Sequence, residues 1–89
     1  MPSTYFGLLA EFETPEVPLS EICEKYFGCK HNEAKRRAAR RSLPIPVHKI
    51  VKSQKAEYMV AIDELAAWID KQKEIARADW EAHNDEEAA

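Results

Sequence analysis

Residues 30–41 read KHNEAKRRAARR and form the most basic stretch of the chain. Between Lys25 and Lys55 there are ten lysines and arginines and one acid, Glu33, a local balance of +9. The remaining residues hold three cations and fifteen acids, so the formal net charge of the whole chain is −3. Clustered cations create a local potential that attracts polyanions whatever the charge elsewhere. The middle of the chain is therefore a candidate polyanion-binding surface.

This basic stretch follows a short predicted helix. Ser20 is a suitable N-cap, Ile22 and Cys23 begin an apolar stripe, and Gly28 is the expected stop. A second helix is predicted to start at once, with Asn32 as its N-cap and residues 33–41 as its body. Two short helices joined by a tight turn that contains glycine are typical of a helix-turn-helix.

The second helix has two different faces. Ala34 and Ala38 lie one above the other, and their small side chains allow close packing on the first helix. The cations Lys35, Arg36 and Arg40 point the other way, so the charge is predicted to lie on the outward face.

A β-hairpin is predicted directly after this pair. Two segments have the period of two expected of strands. In the first, Val47, Lys49 and Val51 alternate with His48 and Ile50, and in the second, Tyr58, Val60 and Ile62 alternate with Met59 and Ala61. The polar and basic residues 52–55 would form the tip. A basic hairpin after a helix-turn-helix is a wing, so we expect a single-domain, mostly α winged helix-turn-helix fold with a small β-hairpin, over residues 1–82.

Two further helices frame this unit. A first helix is predicted after Ser3, and a short extended piece at residues 17–19 follows it. The last helix is predicted to begin at Asp63 and to run for roughly 18 residues, followed by an acidic tail, residues 83–89, that frays. Its apolar stripe is expected to form a homodimer interface of Trp68, Gln72, Ile75, Ala76 and Trp80. Alternatively, Trp80 folds back onto Tyr5, Leu9 or Phe12 and completes a monomer core.

Composition argues against several functional classes. No nucleophile, base and orienting group come together in the sequence, so an enzyme is not expected. Cys23, Cys29 and His31 do not have a zinc spacing, and we expect no metal and no cofactor. No apolar run approaches the ~20 residues that span a bilayer, and no signal peptide is evident, so a cytoplasmic protein is expected.

Double-stranded DNA is the partner that best fits the basic residues. The second helix would enter the major groove, with Arg36 able to bind guanine and Ala39 small enough to admit a thymine methyl group. Lysines of the wing would reach the flanking phosphates. The predicted DNA-binding residues are Lys30, His31, Asn32, Lys35, Arg36, Arg37, Ala39, Arg40, Arg41, Lys52, Gln54 and Lys55.

Several stretches, taken in order, resemble one known family. They are FGLLAEF (6–12), PLSEICEKYF (18–27), LPIPV (43–47), SQK (53–55) and DELAAWIDKQ (63–72). Together they are similar to the pyocin activator protein (PrtN-type) family over residues 4–77. The resemblance implies a small transcriptional activator from phage or phage-derived bacteriocin loci, acting in a bacterial cell or a phage-infected host.

The sequence therefore predicts a sequence-specific double-stranded DNA-binding protein, and the resemblance adds activation of phage or bacteriocin genes. An excisionase-like architectural factor that bends DNA remains an alternative with the same fold. A phage protein-interaction module that acts without DNA is an alternative of another class, and RNA binding is a weaker option because no aromatic platform accompanies the arginines. A homodimer and contact with RNA polymerase are left open, and neither a membrane nor a small-molecule substrate is expected.

Overall fold

The computed structural model describes residues 2–53 and 55–88. The elements in chain order are α1 (Pro2–Phe12), β1 (Glu16–Pro18), α2 (Leu19–Phe27), α3 (His31–Ala39), β2 (Met59–Ala61) and α4 (Ile62–Ala88). The fold is mostly helical, as predicted, with a small antiparallel pair of strands.

A core of branched aliphatic side chains joins these elements. Val17 of β1 lies opposite Val60 of β2, and both are almost completely buried together with Leu19, Ile62 and Leu65. Burial of one such side chain contributes about 1.5–3 kcal/mol, so this cluster supplies much of the stability of a small domain. It also fixes α2 and α4 against the two strands.

The strand pairing differs from the predicted hairpin. β2 pairs with β1, which lies before α2 in the chain, in an antiparallel register that sets Glu16 opposite Ala61. The extended piece predicted near residue 17 is therefore a strand. Residues 47–51, all of which the structure describes, contribute a single bridge, between His48 and Met59. Pairing with β1 buries Val60 against Val17. Ile50 and Val51 are 67% and 62% exposed, so a longer pairing of β2 with residues 47–51 would add no contact with the core.

Both short helices begin without the predicted side-chain caps. α2 starts at Leu19 and α3 at His31, so Ser20 and Asn32 lie inside the first turns. The N–H of Leu19 donates to the carbonyl of Tyr58 at 2.9 Å, and this backbone bond does part of the work of a cap. Gly28 does end α2, with a left-handed φ of 68° that glycine adopts without steric cost.

α3 ends at Ala39, two residues earlier than predicted. Arg41 adopts a left-handed φ of 56°, which turns the chain away from the helix axis. The N–H of Ser42 then donates to the carbonyl of Arg37 at 2.8 Å and closes the turn. Leu43 and Ile45 follow in the extended connector, and Ile45 is buried.

α1 packs antiparallel against the first half of α4. The N–H of Ile62 donates to the carbonyl of Pro15 at 2.8 Å, and Thr4 Oγ1 donates to Asp70 Oδ1 at 2.6 Å. These two bonds tie the start of α4 to the chain after α1, and Asp70 to the beginning of α1.

α4 is much longer than predicted. It contains 27 residues and continues to Ala88, through most of the segment that was expected to fray. At 1.5 Å per residue its length is about 40 Å. Every side chain from 71 to 83 is exposed, so the second half projects beyond the domain. Within the described ranges, no helix is both long and apolar enough to cross a membrane.

Candidate nucleic-acid interface

The structure confirms the two faces predicted for α3. Ala34 and Ala38 are buried in the same cluster as Ile22 and Cys23 of α2. The turn between the helices contains Gly28, the buried Cys29 and Lys30. Small side chains on the inner face bring α3 close to α2, and this contact fixes the direction in which the outer face points.

The outer face of α3 is basic and exposed. Lys35, Arg36 and Arg40 are exposed, as is the small side chain of Ala39 between them. A helix with one buried face and one exposed basic face is the form that enters a DNA major groove. With Arg40, which is predicted to contact phosphate, this surface therefore contains the predicted groove-facing residues, Asn32, Lys35, Arg36 and Ala39.

Glu33 organises this surface, and the sequence interpretation did not assign it a role. Its Oε1 accepts hydrogen bonds from Arg36 Nε at 3.1 Å and Nη2 at 2.9 Å. Its Oε2 accepts a hydrogen bond from Arg37 Nε at 3.2 Å and lies 3.6 Å from Arg40 Nη2. Hydrogen bonds from Arg36 and then Arg37 hold the pKa of Glu33 below its ordinary value. One carboxylate thus positions three guanidinium groups.

The remaining predicted residues of the stretch lie at the two ends of α3. Lys30 and Asn32 are exposed, and His31 is half-buried at the first position of the helix. Arg37 is half-buried at the edge of the outer face, and Arg41 is exposed in the turn after the helix. Both ends therefore extend the positive surface of α3.

The predicted wing is an irregular loop rather than a hairpin. Lys52 and Lys55 are exposed, and Gln54 lies outside the described residues. Ala56 N–H donates to the carbonyl of Ser53 at 3.2 Å, which closes a turn near the tip. Lys49 Nζ lies 4.7 Å from the centre of the Tyr58 ring and donates to the Ser53 carbonyl at 3.1 Å. Lys49 therefore braces the base of the loop.

Two further contacts join this loop to the sheet. His48 bridges Met59 through two backbone hydrogen bonds, of 3.0 and 2.6 Å. The His48 ring Nε2 is also paired with Glu16 Oε1 of β1. The base of the loop is consequently fixed to the core, although its tip is exposed.

The predicted dimer residues have different surroundings along α4. Trp68 packs edge-on against Phe27 of the same chain, with ring centres 5.4 Å apart, so part of its surface is used within the monomer. Ile75 and Trp80 are exposed, but five helical residues separate them by about 140° around the axis. Gln72 and Ala76 are exposed on the same half of α4. The alternative in which Trp80 completes a monomer core is wrong, because this side chain is 63% exposed.

Both cysteines lie inside the fold. Cys23 and Cys29 are buried free thiols, and burial is the main cause that raises the pKa of Cys23. Across residues 2–53 and 55–88, no three His, Cys, Asp or Glu side chains are grouped as a metal site requires.

Two features of the site were missed at the sequence level. The spacing of Glu33 from Arg36 and Arg37, at three and four residues, was a visible signal for helical ion pairs. The exposure of Ile50 and Val51 had no such signal, because alternating apolar residues also predict a buried strand.

Comparison with known proteins supplies the family. A family model described as Pyocin activator protein PrtN matches residues 4–76, which include every element from β1 to β2, most of α1 and the first half of α4. No curated protein and no solved structure matches the chain. The matched family is one of regulatory activators and not of enzymes. This chain belongs to the pyocin activator protein PrtN family.

Proposed function

We propose that this protein binds double-stranded DNA in a sequence-specific manner and thereby activates transcription of phage or bacteriocin genes. The observation that carries DNA binding is the outer face of α3, where Lys35, Arg36 and Arg40 are exposed opposite the buried Ala34 and Ala38. Family membership supports the activating role.

In the proposed complex, α2 and α3 act as a helix-turn-helix and α3 lies in the major groove. Arg36 would donate two hydrogen bonds to a guanine, and Ala39 would lie beside a thymine methyl group. Arg40, Arg41 and Lys30 would contact phosphates, which fix the orientation of the protein without reading bases.

Glu33 would influence which DNA sequences are accepted. In the free protein its carboxylate accepts from Nε and Nη2 of Arg36, one of the two edges through which a guanidinium can bind a guanine. A solvent-exposed ion pair contributes little because water and salt screen it. A correct guanine contact can therefore displace Glu33, whereas a poor contact leaves the carboxylate close to phosphate and is disfavoured.

The exposed loop supplies a second contact region. Lys52 and Lys55 lie at its tip, and the bridge between His48 and Met59 holds its base against the sheet. In a winged arrangement these lysines would reach phosphates beside the groove that α3 occupies.

DNA selection followed by titration tests the proposal. Duplexes selected from a random pool should share a motif, and the logarithm of the binding constant should fall linearly with the logarithm of salt concentration. A Lys35→Ala/Arg36→Ala/Arg40→Ala variant should lose most of the affinity. The matched control removes three cations from α4, at Lys71, Lys73 and Arg77, and should bind nearly as wild type when both proteins are compared as monomers. A chain that binds no duplex, or binds it independently of salt, would refute the proposal.

A reporter assay then tests activation. A promoter that carries the selected motif should give more transcript when the wild-type protein is present, and the α3 variant should give only the basal level. Unchanged or reduced transcript would leave DNA binding in place and exclude activation. Contact with RNA polymerase, which would be one route to activation, is tested by whether purified polymerase and this protein bind the promoter cooperatively.

DNA bending is a second candidate function, favoured by one observation. Ile50 and Val51 are exposed at the loop that carries Lys49 and Lys52. Architectural proteins insert apolar side chains of this kind between base steps and kink the duplex. A gel assay with the site at varied positions along a fragment measures the bend. Ile50→Ser/Val51→Ser should abolish a bend made in this way and leave the selected motif unchanged.

A further inference from the structure

α1 covers the first half of α4, whereas no described element covers the second half. α1 begins at Pro2, and its Thr4 is hydrogen-bonded to Asp70, so the N-terminal end of α1 lies at about this level of α4. From 71 to 83 every side chain of α4 is exposed. About 27 Å of helix, from 71 to 88, therefore extends past the end of α1.

The face of α4 that forms the core continues along this extension. Ile62 and Leu65 are completely buried, and Ile69 is partly buried against the same core. Ala76 and Trp80 follow Ile69 at seven and eleven residues, which places them on the same side of the helix. Trp80 is 63% exposed, so the largest side chain on this face lies beyond the domain's own core.

A groove of about 360 Å³ lies where the N-terminal half of α1 meets α4. Its lining includes Gly7 and Leu8 of α1, Tyr26 of α2, and Ile69 and Lys73 of α4. A Cβ added at Gly7 would meet no atom within 4 Å, so space is open above this glycine. Trp80 of the same chain is about 16 Å from Ile69 along a continuous helix and does not reach the groove.

Charge is segregated along the extension. Lys71, Lys73 and Arg77 lie in its first half, with Glu74 as the accompanying acid. From residue 78 to the end of the chain there are five acids and no lysine or arginine. Two such helices side by side in parallel would place like charges together, whereas antiparallel helices would place the basic half of each beside the acidic half of the other.

We infer that the extension is the site of homodimerisation, with the two α4 helices antiparallel and Trp80 of each copy in the groove of the other. If the helices cross between residues 76 and 77, position 80 of one copy lies opposite position 73 of the other, and Lys73 lines the groove. Ala76 at the crossing allows the helices to approach closely. The two Trp80 side chains supply the apolar contact, since each tryptophan buries about 150–250 Å².

Sedimentation equilibrium over a range of protein concentrations tests this arrangement. The wild-type chain should change from monomer to dimer, and Trp80→Ala should remain monomeric. Gly7→Leu should also remain monomeric because its side chain fills the groove, and it should fold because leucine has a higher helix propensity than glycine and meets open space. Ile75→Ala is the matched control, since it removes an exposed apolar side chain from another side of α4 and should dimerise as wild type.

A mixture of two variants distinguishes a dimer in which Trp80 lies in the groove of the other copy from one in which the two Trp80 side chains contact each other. Trp80→Ala retains the groove and Gly7→Leu retains the tryptophan, so a mixed dimer contains one complete contact. The mixture should therefore form dimers at concentrations at which each variant alone is monomeric. A wild-type chain that is monomeric throughout, dimers that survive both substitutions, or a mixture that stays monomeric would each overturn the inference. Circular dichroism of each variant confirms that it is folded.

Discussion

Glu33 Oε1 accepts two hydrogen bonds from Arg36, at 3.1 and 2.9 Å, on the outward face of α3. The pair joins the one acid of the basic region to the arginine that is proposed to read a base. Because Arg37 and Arg40 share the same carboxylate, the charge of the surface and the direction of its guanidinium groups depend on a single side chain. Glu33 is therefore the most informative position for substitution.

Glu33→Gln should raise affinity for unrelated duplexes and reduce discrimination between the selected motif and those duplexes. The substitution removes a negative charge next to phosphate and frees donors of Arg36, so the salt slope should steepen by about one. Fluorescence anisotropy with matched specific and scrambled duplexes measures both effects. The control is Glu74→Gln, which removes an exposed acid from α4. Equal changes in the two variants would mean that only net charge matters.

The same pair predicts a pH dependence of stability. The pKa of Glu33 is lowered in the folded chain, chiefly by hydrogen bonds from Arg36 and Arg37. The stabilisation is therefore present above the ordinary carboxyl range and is lost as pH falls through the lowered folded-state value. The free energy of unfolding of wild type relative to Glu33→Gln should be greatest near neutral pH and should decrease on acidification. A difference that stays constant from neutral to strongly acidic pH would contradict the pairing.

Helix existence could be predicted from the sequence because it depends on local spacing. Apolar periodicity and Gly28 were enough to locate α2, and the alanines at 34 and 38 predicted the buried face of α3. Helix starts were less predictable, because Leu19 N–H finds its partner in Tyr58, almost forty residues later. When the N–H groups at the start of a helix bond to a carbonyl far away in the chain, the adjacent sequence carries no signal for it.

Strand partners could not be predicted for a similar reason. Alternation identified residues 58–62 as a strand but could not say which other segment would pair with it. In the structure that segment is β1, and its pairing with β2 buries Val17 against Val60. The cations of the candidate site could be predicted from the sequence. The pairing of Glu33 with Arg36 does not follow from the net charge of the stretch, since a charge count does not show which side chains are partners.

Arg36→Ala and Arg40→Ala should have different consequences for DNA binding. Loss of a bidentate contact to guanine at Arg36 should cost ~1–3 kcal/mol on the selected motif and relax preference at one base pair. Loss of a phosphate contact at Arg40 should weaken all duplexes alike and reduce the salt slope by about one. Titration of each variant against single-base variants of the motif measures the difference. Identical, sequence-independent losses would remove Arg36 from the role of base reader.

Replacement of Lys52 and Lys55 by alanine should reduce DNA affinity and leave folding intact. Both side chains are exposed on an irregular loop, so their loss removes no core contact. Fewer released counterions should flatten the salt slope by about two. Lys71→Ala, an exposed lysine of α4, is the control for a change in net charge. Wild-type affinity of the double variant at several salt concentrations would show that the loop does not lie on DNA.

Two leucine substitutions on α3 should separate its inner face from its outer face. Ala34 is completely buried and Ala39 is exposed on the same helix. Ala34→Leu forces extra volume between α2 and α3, and such overpacking typically costs ~1–3 kcal/mol of the free energy of unfolding. Ala39→Leu should change that free energy little, because leucine and alanine are both good helix formers and the side chain lies in solvent.

Ala39→Leu should weaken DNA binding, although it leaves the free energy of unfolding nearly unchanged. The added side chain would occupy the space expected for a base edge in the major groove, so affinity for the selected motif should fall although stability does not. Urea denaturation and anisotropy titration on the same preparations measure the two properties. If Ala39→Leu binds the motif as tightly as wild type, the outward face of α3 is not the surface that enters the groove.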